Sequence, residues 1–320
     1  MRAKLMFFSG SPEASRLSFY AQQILTDLAV TFGHSFVILD DKISELSLQE
    51  FGSTMTEEAI VASEECDAVI SIASDQKGLQ ELAGGLGCIL CSHIYTLPNC
   101  LADYSLLKSN QLPRGFLAYP LSLDKTAFSR AASHLYKRAQ SENLLVSEVP
   151  YQGTRHSSWV EITDLVANKY FVMNPKRLAP ETIISDVLNF PQSMGAVLAA
   201  KSVCDILNAG ATGISGLPSF IFDAYWDENH TKLYAVRIFK SNQPDSLSPF
   251  GLLYALVDML RHSLKLSKES DCLSTCINNV LEAGWRTADI AMEGHIRVTS
   301  EAIFKLISEQ IELVAEFITH

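Results

Sequence analysis

Cysteine and histidine side chains lie close together in one short stretch of the chain, and these are the residues that usually bind zinc. Cys88 and Cys91 are separated by two residues, His93 follows, and Cys100 lies further on. Thiolate and imidazole ligands at such spacings form tetrahedral zinc sites. The two residues between the cysteines are apolar, however, and no tight turn is present to bring the ligands together. We therefore favour a buried strand, whose side chains alternate between two faces.

The overall composition restricts the class of protein. The 320 residues include 25 Lys and Arg against 36 Asp and Glu, and 48% of them are apolar. A chain this apolar can build a core, whereas an acidic chain lacks the basic face that nucleic acid or an anionic membrane requires. Seven cysteines, an odd number, favour reduced thiols over a disulfide framework. Without a signal-peptide core or a spanning helix, we expect a cytoplasmic protein.

Short apolar runs alternate with segments of helical periodicity along the chain. The runs at 4–8, 68–73 and 196–200 are apolar on both faces, which is typical of parallel strands covered by helices. Helical periodicity is strong over 125–140 and 250–264. This alternation predicts an α/β protein.

The C-terminal third resembles the closing region of the isocitrate/isopropylmalate dehydrogenase family. Residues 249–266 (PFGLLYALVDMLRHSLKL) begin with a proline before a long apolar helix, and residues 286–289 (RTAD) resemble the family's R-T-x-D segment. Upstream, residues 66–69 (CDAV), 105–108 (SLLK) and 191–207 (PQSMGAVLAAKSVCDIL) resemble its ADAV, SPLK and PEQFDVIVTSNLFGDIL motifs. Their order and spacing identify the chain as a member of this family over nearly its whole length.

The resemblance implies a three-layer α/β/α fold with a large and a small domain. The large, nucleotide-binding-like domain would comprise 1–98 and 250–320. The small domain, 99–249, would carry the substrate and metal positions and the dimer contacts. Members of the family oxidise a 2-hydroxy acid with NAD or NADP and decarboxylate it with a divalent metal ion. Each active site includes residues of the partner subunit, so we expect a homodimer.

The family's substrate and proton-relay positions hold different residues in this chain. Family members clamp substrate carboxylates with arginines and relay a proton through a lysine. In the register set by the motifs, the three arginine positions hold Ala83, His93 and Tyr119, and the lysine position holds Val149. A valine cannot move a proton, and alanine, histidine and tyrosine do not supply the fixed positive charge of three arginines.

The metal positions are only partly retained. The first carboxylate of the family corresponds to Glu181 and the second to Asp205, whereas the third falls at or near Ala209. Mg²⁺ holds its water ligands tightly, so one or two carboxylates would bind it weakly. We interpret Glu181 and Asp205 as vestigial.

The loop that receives the adenosine half of the cofactor also differs from the family pattern. Lys240 stands at its histidine position, Pro244 and Asp245 are kept, and Ser248 replaces an asparagine. A carboxylate facing the ribose hydroxyls favours NAD, although a solvated loop aspartate explains Asp245 equally well. We interpret these four residues as vestigial. NAD(P) and Mg²⁺ or Mn²⁺ are expected only if activity is retained.

Three functions follow from this pattern. The first, which we favour, is a pseudoenzyme with a binding, regulatory or subunit role beside an active homologous dehydrogenase or a small-molecule ligand. The second is an active NAD(P)- and Mg/Mn-dependent decarboxylating dehydrogenase of isocitrate or 3-isopropylmalate. In that case Lys201, His93, Tyr119 and Lys240 would form a new cationic or acid–base pocket.

The third is a different activity on the same fold. The related hydroxythreonine-phosphate dehydrogenases bind their metal through histidines. The spacing of His93, His134, His156 and His262 does not suggest such a cluster.

Overall fold

Strands flanked by helices make up the structure, a computed structural model that describes residues 1–73, 76–105, 112–151, 156–170, 175–237 and 247–319. The strands are β1 (Arg2–Ser9), β2 (Ser35–Lys42), β3 (Ala68–Ala73), β4 (Leu90–Tyr95), β5 (Gly115–Pro120), β6 (Val146–Val149), β7 (Lys176–Arg177), β8 (Gly195–Ala199), β9 (Phe222–Trp226), β10 (Thr231–Arg237), β11 (Trp285–Arg286) and β12 (Ile296–Arg297). The α-helices are α1 (Pro12–Phe32), α2 (Ser44–Phe51), α3 (Glu57–Glu64), α4 (Lys77–Gly85), α5 (Lys125–Ser141), α6 (His156–Ala167), α7 (Pro180–Asn189), α8 (Lys201–Ser215), α9 (Phe250–His262), α10 (Ser267–Glu282) and α11 (Ser300–Thr319). The alternating α/β architecture predicted from the sequence is confirmed.

The chain forms two compact units. The first unit comprises Met1–Leu86 and Thr231–His320, and the second comprises Gly87–His230. The domains predicted from the resemblance, 1–98 with 250–320 and 99–249, stay a prediction. Strand β4 pairs with β5 and β9 of the second unit, whereas β10 pairs with β3 of the first.

Four parallel strands form the sheet of the first unit, in the order β2-β1-β3-β10. Leu5, Phe7 and Phe8 of β1 are fully buried, as their unbroken apolar run predicts. Helix α1 packs on β1 and β2, and α9 packs on β10.

Helix α1 begins at Pro12 and ends at Phe32. The Ser11 hydroxyl accepts a hydrogen bond from the Ala14 amide at 3.2 Å, which caps the helix, and proline suits its first turn. Gly33 caps the other end, and its φ of 72° is left-handed and favours glycine. The chemistry of its ends, rather than the apolar pattern, therefore sets the length of this helix.

The second unit has strand order β9-β4-β5-β8-β6-β7. Strands β5, β8, β6 and β7 are parallel to one another, whereas β4 is antiparallel to both β5 and β9. The all-parallel pairing inferred from the apolar runs is therefore wrong at β4. An apolar run shows that both faces of a strand are buried, but it does not determine the direction of the strand beside it.

The stretch with the candidate zinc ligands forms a strand, as interpreted from its alternation, although β4 begins at Leu90 and continues to Tyr95. In the described part of the chain, no group of potential metal ligands includes the two cysteines and the histidine of this stretch, and none contains two histidines. None of the described helices is both long and apolar enough to cross a membrane.

Candidate functional site

The two residues that the resemblance assigns to the family's lysine and to one of its arginines, Val149 and Tyr119, lie on the same face of the sheet in the second unit. Val149 pairs with Ala199 across β6 and β8, and Tyr119 is the next residue beyond the paired part of β5 and β8. Tyr119 in turn pairs with Cys91, which pairs with Tyr225 on its other side. Since paired positions on neighbouring strands share a face, these five side chains form one row across the sheet.

His93 lies on this face too, two residues beyond Cys91 on β4, and it pairs with Asp223. Its Nδ1 is 2.6 Å from the Asp223 Oδ1, and the two side chains are 2% and 5% exposed. The His93 Nε2 is also buried and has no hydrogen-bond partner. The Nδ1–H of His93 donates to the Asp223 carboxyl group, and this hydrogen bond fixes the orientation of the ring.

Burial keeps the other titratable groups of this row neutral. It raises the pKa of the Cys91 thiol well above its ordinary value, and the charge of Asp223 raises it further. Burial and the neighbouring Cys91 also raise the pKa values of Tyr119 and Tyr225. A neutral, buried thiol is a poor nucleophile, and a neutral tyrosine supplies no positive charge for a carboxylate.

Val149 is buried and apolar at 2% exposure. The carboxylate next to it, Glu148, lies on the opposite face of the sheet, where it is fully buried. There it accepts hydrogen bonds from Thr163 at 2.9 Å, from Arg177 at 3.2 Å and from Tyr136. Glu148 is therefore part of the packing on that side and contributes no group to the face that carries Tyr119.

Asp205, which the resemblance assigns to a metal carboxylate of the family, is bound by a lysine of its own helix. Lys201 Nζ lies 2.9 Å from the Asp205 Oδ1 and 2.7 Å from its Oδ2. It also lies 5.4 Å from the centroid of the Tyr119 ring. Glu181 is exposed in the first turn of α7. Where the structure describes the chain, neither Glu181 nor Asp205 belongs to a group of three potential metal ligands. Because both oxygens of Asp205 face an ammonium, this pair of side chains does not fit a divalent metal ion.

The other predicted site residues lie elsewhere or are not described. Ala83 is buried in α4 of the first unit. Lys240, Pro244 and Asp245 fall outside the described residues. Ser248 precedes α9, and its buried hydroxyl has no hydrogen-bond partner within the described chain. The assignment of this loop to a nucleotide stays a prediction.

Two residues of the site, Asp223 and Tyr225, were not predicted from the sequence. Both are on β9, more than a hundred residues after β4 in the chain, and they reach the site only because β9 pairs with β4. No local motif marks them. Alternation along β9 was the available signal, since the two residues are spaced to share a face.

Comparison with known proteins gives relatives over nearly the full length of the chain. No family model matches it. It is 20% identical to the 3-isopropylmalate dehydrogenase of Shouchella clausii over 98% of both chains. It is 22% identical to that of Priestia megaterium over 95% of this chain and 94% of the relative.

Solved structures share the fold. A beta-decarboxylating dehydrogenase from Thermococcus kodakarensis has a TM-score of 0.75 at 15% identity, covering 97% of this chain and 96% of its own. Isocitrate dehydrogenase from Methylococcus capsulatus has a TM-score of 0.77 at 10% identity, covering 97% of this chain and 99% of its own. By full-length sequence similarity and shared fold, the chain resembles the isocitrate/isopropylmalate dehydrogenases, as its motifs indicated.

Proposed function

We propose that this chain keeps the dehydrogenase fold but has lost hydride transfer and decarboxylation, and that it has a binding, regulatory or subunit role. The observation that carries the proposal is the position of Val149. It shares a sheet face with Tyr119 and His93, where the resemblance places the proton-relay lysine and two arginines. Because a valine side chain neither accepts nor donates a proton, the relay has no group at this place.

The charges on that face support the same proposal. Substrates with two or three carboxylates are held by fixed positive charge, which arginine supplies in a planar fork. In this chain Tyr119 is kept neutral by burial, His93 faces the carboxyl group of Asp223, and Lys201 is paired with Asp205. Each of these two basic side chains therefore already has an acidic partner.

The proposal includes a homodimer formed through the second unit. Helices α7 and α8 pack against each other. Leu188, Phe190 and Ile206, on or beside these helices, are 40%, 54% and 56% exposed. Exposed apolar residues that lie together are typical of protein contact surfaces. The other partner would be a small-molecule ligand or an active homologous dehydrogenase, in the cytoplasm.

Steady-state assays test the loss of activity. The purified protein is incubated with isocitrate or 3-isopropylmalate, with NAD or NADP and with Mn²⁺, and the absorbance of the reduced nicotinamide is followed. We expect no rate above that of a sample without protein, and Val149→Ala should behave identically. Turnover in the ordinary enzyme range of about 1–1,000 s⁻¹ would overturn the proposal.

The His93–Asp223 pair favours a second candidate, an active NAD(P)- and Mg/Mn-dependent dehydrogenase with altered catalytic groups. An imidazole oriented by a carboxylate can act as a general base through its free Nε2. In this case the wild-type protein turns over a 2-hydroxy acid, and His93→Gln lowers kcat by about 100-fold to 10,000-fold. An inactive wild-type protein in the assay above eliminates this candidate.

A further inference from the structure

The contact between Lys201 and Asp205 is not explained by the stability of α8. Lys201 is the first residue of that helix, and its charge lies at the positive end of the helix dipole. A lysine four residues before an acidic residue is also the less favourable order for an ion pair within a helix. Ala200, which precedes the helix, offers no side-chain cap. Three local factors therefore act against a lysine here, and yet its ammonium contacts both carboxylate oxygens.

The ammonium is held from two sides. Asp205 binds it through both oxygens, and the Tyr119 ring lies below it at 5.4 Å from the nitrogen to the ring centroid. Aromatic faces attract cations because of their negative quadrupole. Both side chains of the ion pair are about half exposed, so the charge lies at the accessible edge of the row that contains Tyr119 and Val149.

We infer that Lys201 replaces the divalent cation in this chain, and that Asp205 binds no Mg²⁺ or Mn²⁺ while Lys201 is present. The lysine nitrogen lies against both oxygens that a hard cation would take as ligands. A divalent ion at Asp205 would have to displace this ammonium or tolerate its like charge nearby. The inference concerns metal binding alone, and it holds whether or not the protein turns over a substrate.

The position one turn further along α8 makes the inference testable. Lys201, Asp205 and Ala209 are spaced by four residues and therefore share one face of the helix. Ala209 is exposed, so Ala209→Asp adds a second carboxylate beside Asp205 without disturbing the core. The variants to compare are Ala209→Asp alone and the double variant Lys201→Asn, Ala209→Asp. The probe is Mn²⁺ alone, measured from the electron paramagnetic resonance signal of the free ion.

We expect the wild-type protein and Ala209→Asp to leave the free Mn²⁺ signal unchanged. The double variant should bind at least about tenfold more tightly than Ala209→Asp, because two unpaired carboxylates are then available. Adding Asp205→Asn to the double variant should abolish that binding. Circular dichroism checks that each variant is folded.

A matched control uses a second lysine–carboxylate pair of the same spacing. Lys305 and Glu309 form an exposed pair on α11. Lys305→Asn should therefore leave the Mn²⁺ signal unchanged. Two results would overturn the inference. One is Mn²⁺ binding by the wild-type protein that Asp205→Asn abolishes. The other is the same affinity, or the same lack of binding, in Ala209→Asp and the double variant.

Discussion

The Nδ1 of His93 lies 2.6 Å from the Oδ1 of Asp223, and both side chains are almost completely buried in the second unit. The resemblance places an arginine at the histidine position, where it would face a substrate. In this chain the basic side chain faces an internal carboxyl group instead. The pair therefore contributes to the cohesion of β4 with β9 at a place where the family binds its ligand.

Removing the carboxyl group of this pair should destabilise the protein. Asp223→Ala leaves the His93 ring buried and without a partner at either nitrogen. We expect the free energy of unfolding to fall by about 1–3 kcal/mol, the usual effect of leaving a buried polar group without its hydrogen-bond partner. Urea denaturation measures this fall. The exposed pair on α11 is the control, since Glu309→Gln should cost less than about 0.5 kcal/mol. Equal effects at the two places would contradict the buried pairing.

A lysine restored at position 149 should not restore activity. Val149 is 2% exposed, so Val149→Lys buries an ammonium or forces the strand to move. We expect the free energy of unfolding to fall by about 3 kcal/mol, with no turnover of isocitrate or 3-isopropylmalate. Leu145→Lys is the control, because Leu145 is 70% exposed. A Val149→Lys protein as stable as the wild type would show that this position faces an open cleft.

Ionisation of Tyr119 should make the protein less stable at alkaline pH. Burial raises the pKa of Tyr119, so the tyrosine ionises at a lower pH in the unfolded chain than in the folded one. The contribution of Tyr119 to stability is complete below about pH 10, the pKa of tyrosine in the unfolded chain. This contribution is lost as the pH rises above that value. We expect Tyr119→Phe to reduce the slope of unfolding free energy against pH by up to about 1.4 kcal/mol per unit in that range.

The comparison of Tyr119→Phe with the wild-type protein at neutral pH is the control. There the difference in unfolding free energy between the two proteins should not depend on pH, because the tyrosine is protonated in both the folded and the unfolded state. Parallel stability curves above about pH 10 would mean that Tyr119 is not buried in solution.

The thiols should differ in their rate of reaction with Ellman's reagent. Cys88 and Cys100 are partly exposed, whereas the other five cysteines are buried. Burial also raises the pKa values of Cys91 and Cys204, which lowers the thiolate fraction. At about pH 8 we expect Cys88 and Cys100 to react in a fast phase and the others at the rate of unfolding. Cys88→Ser with Cys100→Ser should remove the fast phase, and a remaining fast phase would show that a buried thiol is accessible.

Much of the fold could be predicted from the sequence because the signals are local. The run 68–73 is apolar on both faces, and a strand with two apolar faces must be covered by other elements on both sides. Residues 250–264 carry too many apolar side chains for a surface helix, and α9 is indeed buried over most of its length. The family motifs were likewise visible in order along the chain.

The candidate site could be predicted in part. Val149, Tyr119 and His93 were identified from the register of the motifs, but only strand pairing places them on one face of the sheet. Lys201 and Asp205 are four residues apart, so their contact follows from helical geometry alone. The place of Asp223 in the site follows neither from the motifs nor from helical geometry, because strand pairing brings it to His93 from 130 residues away.

By itself, then, the sequence determined the α/β class and the resemblance to the isocitrate/isopropylmalate dehydrogenases, and it predicts a loss of charged residues at the catalytic positions that this resemblance implies. These depend on residue types and on spacings within single elements. The tertiary structure alone decided the antiparallel direction of β4 and the acidic partner of His93. These depend on which strands pair across long stretches of chain, and pairing is a property of the whole sheet that no single segment specifies.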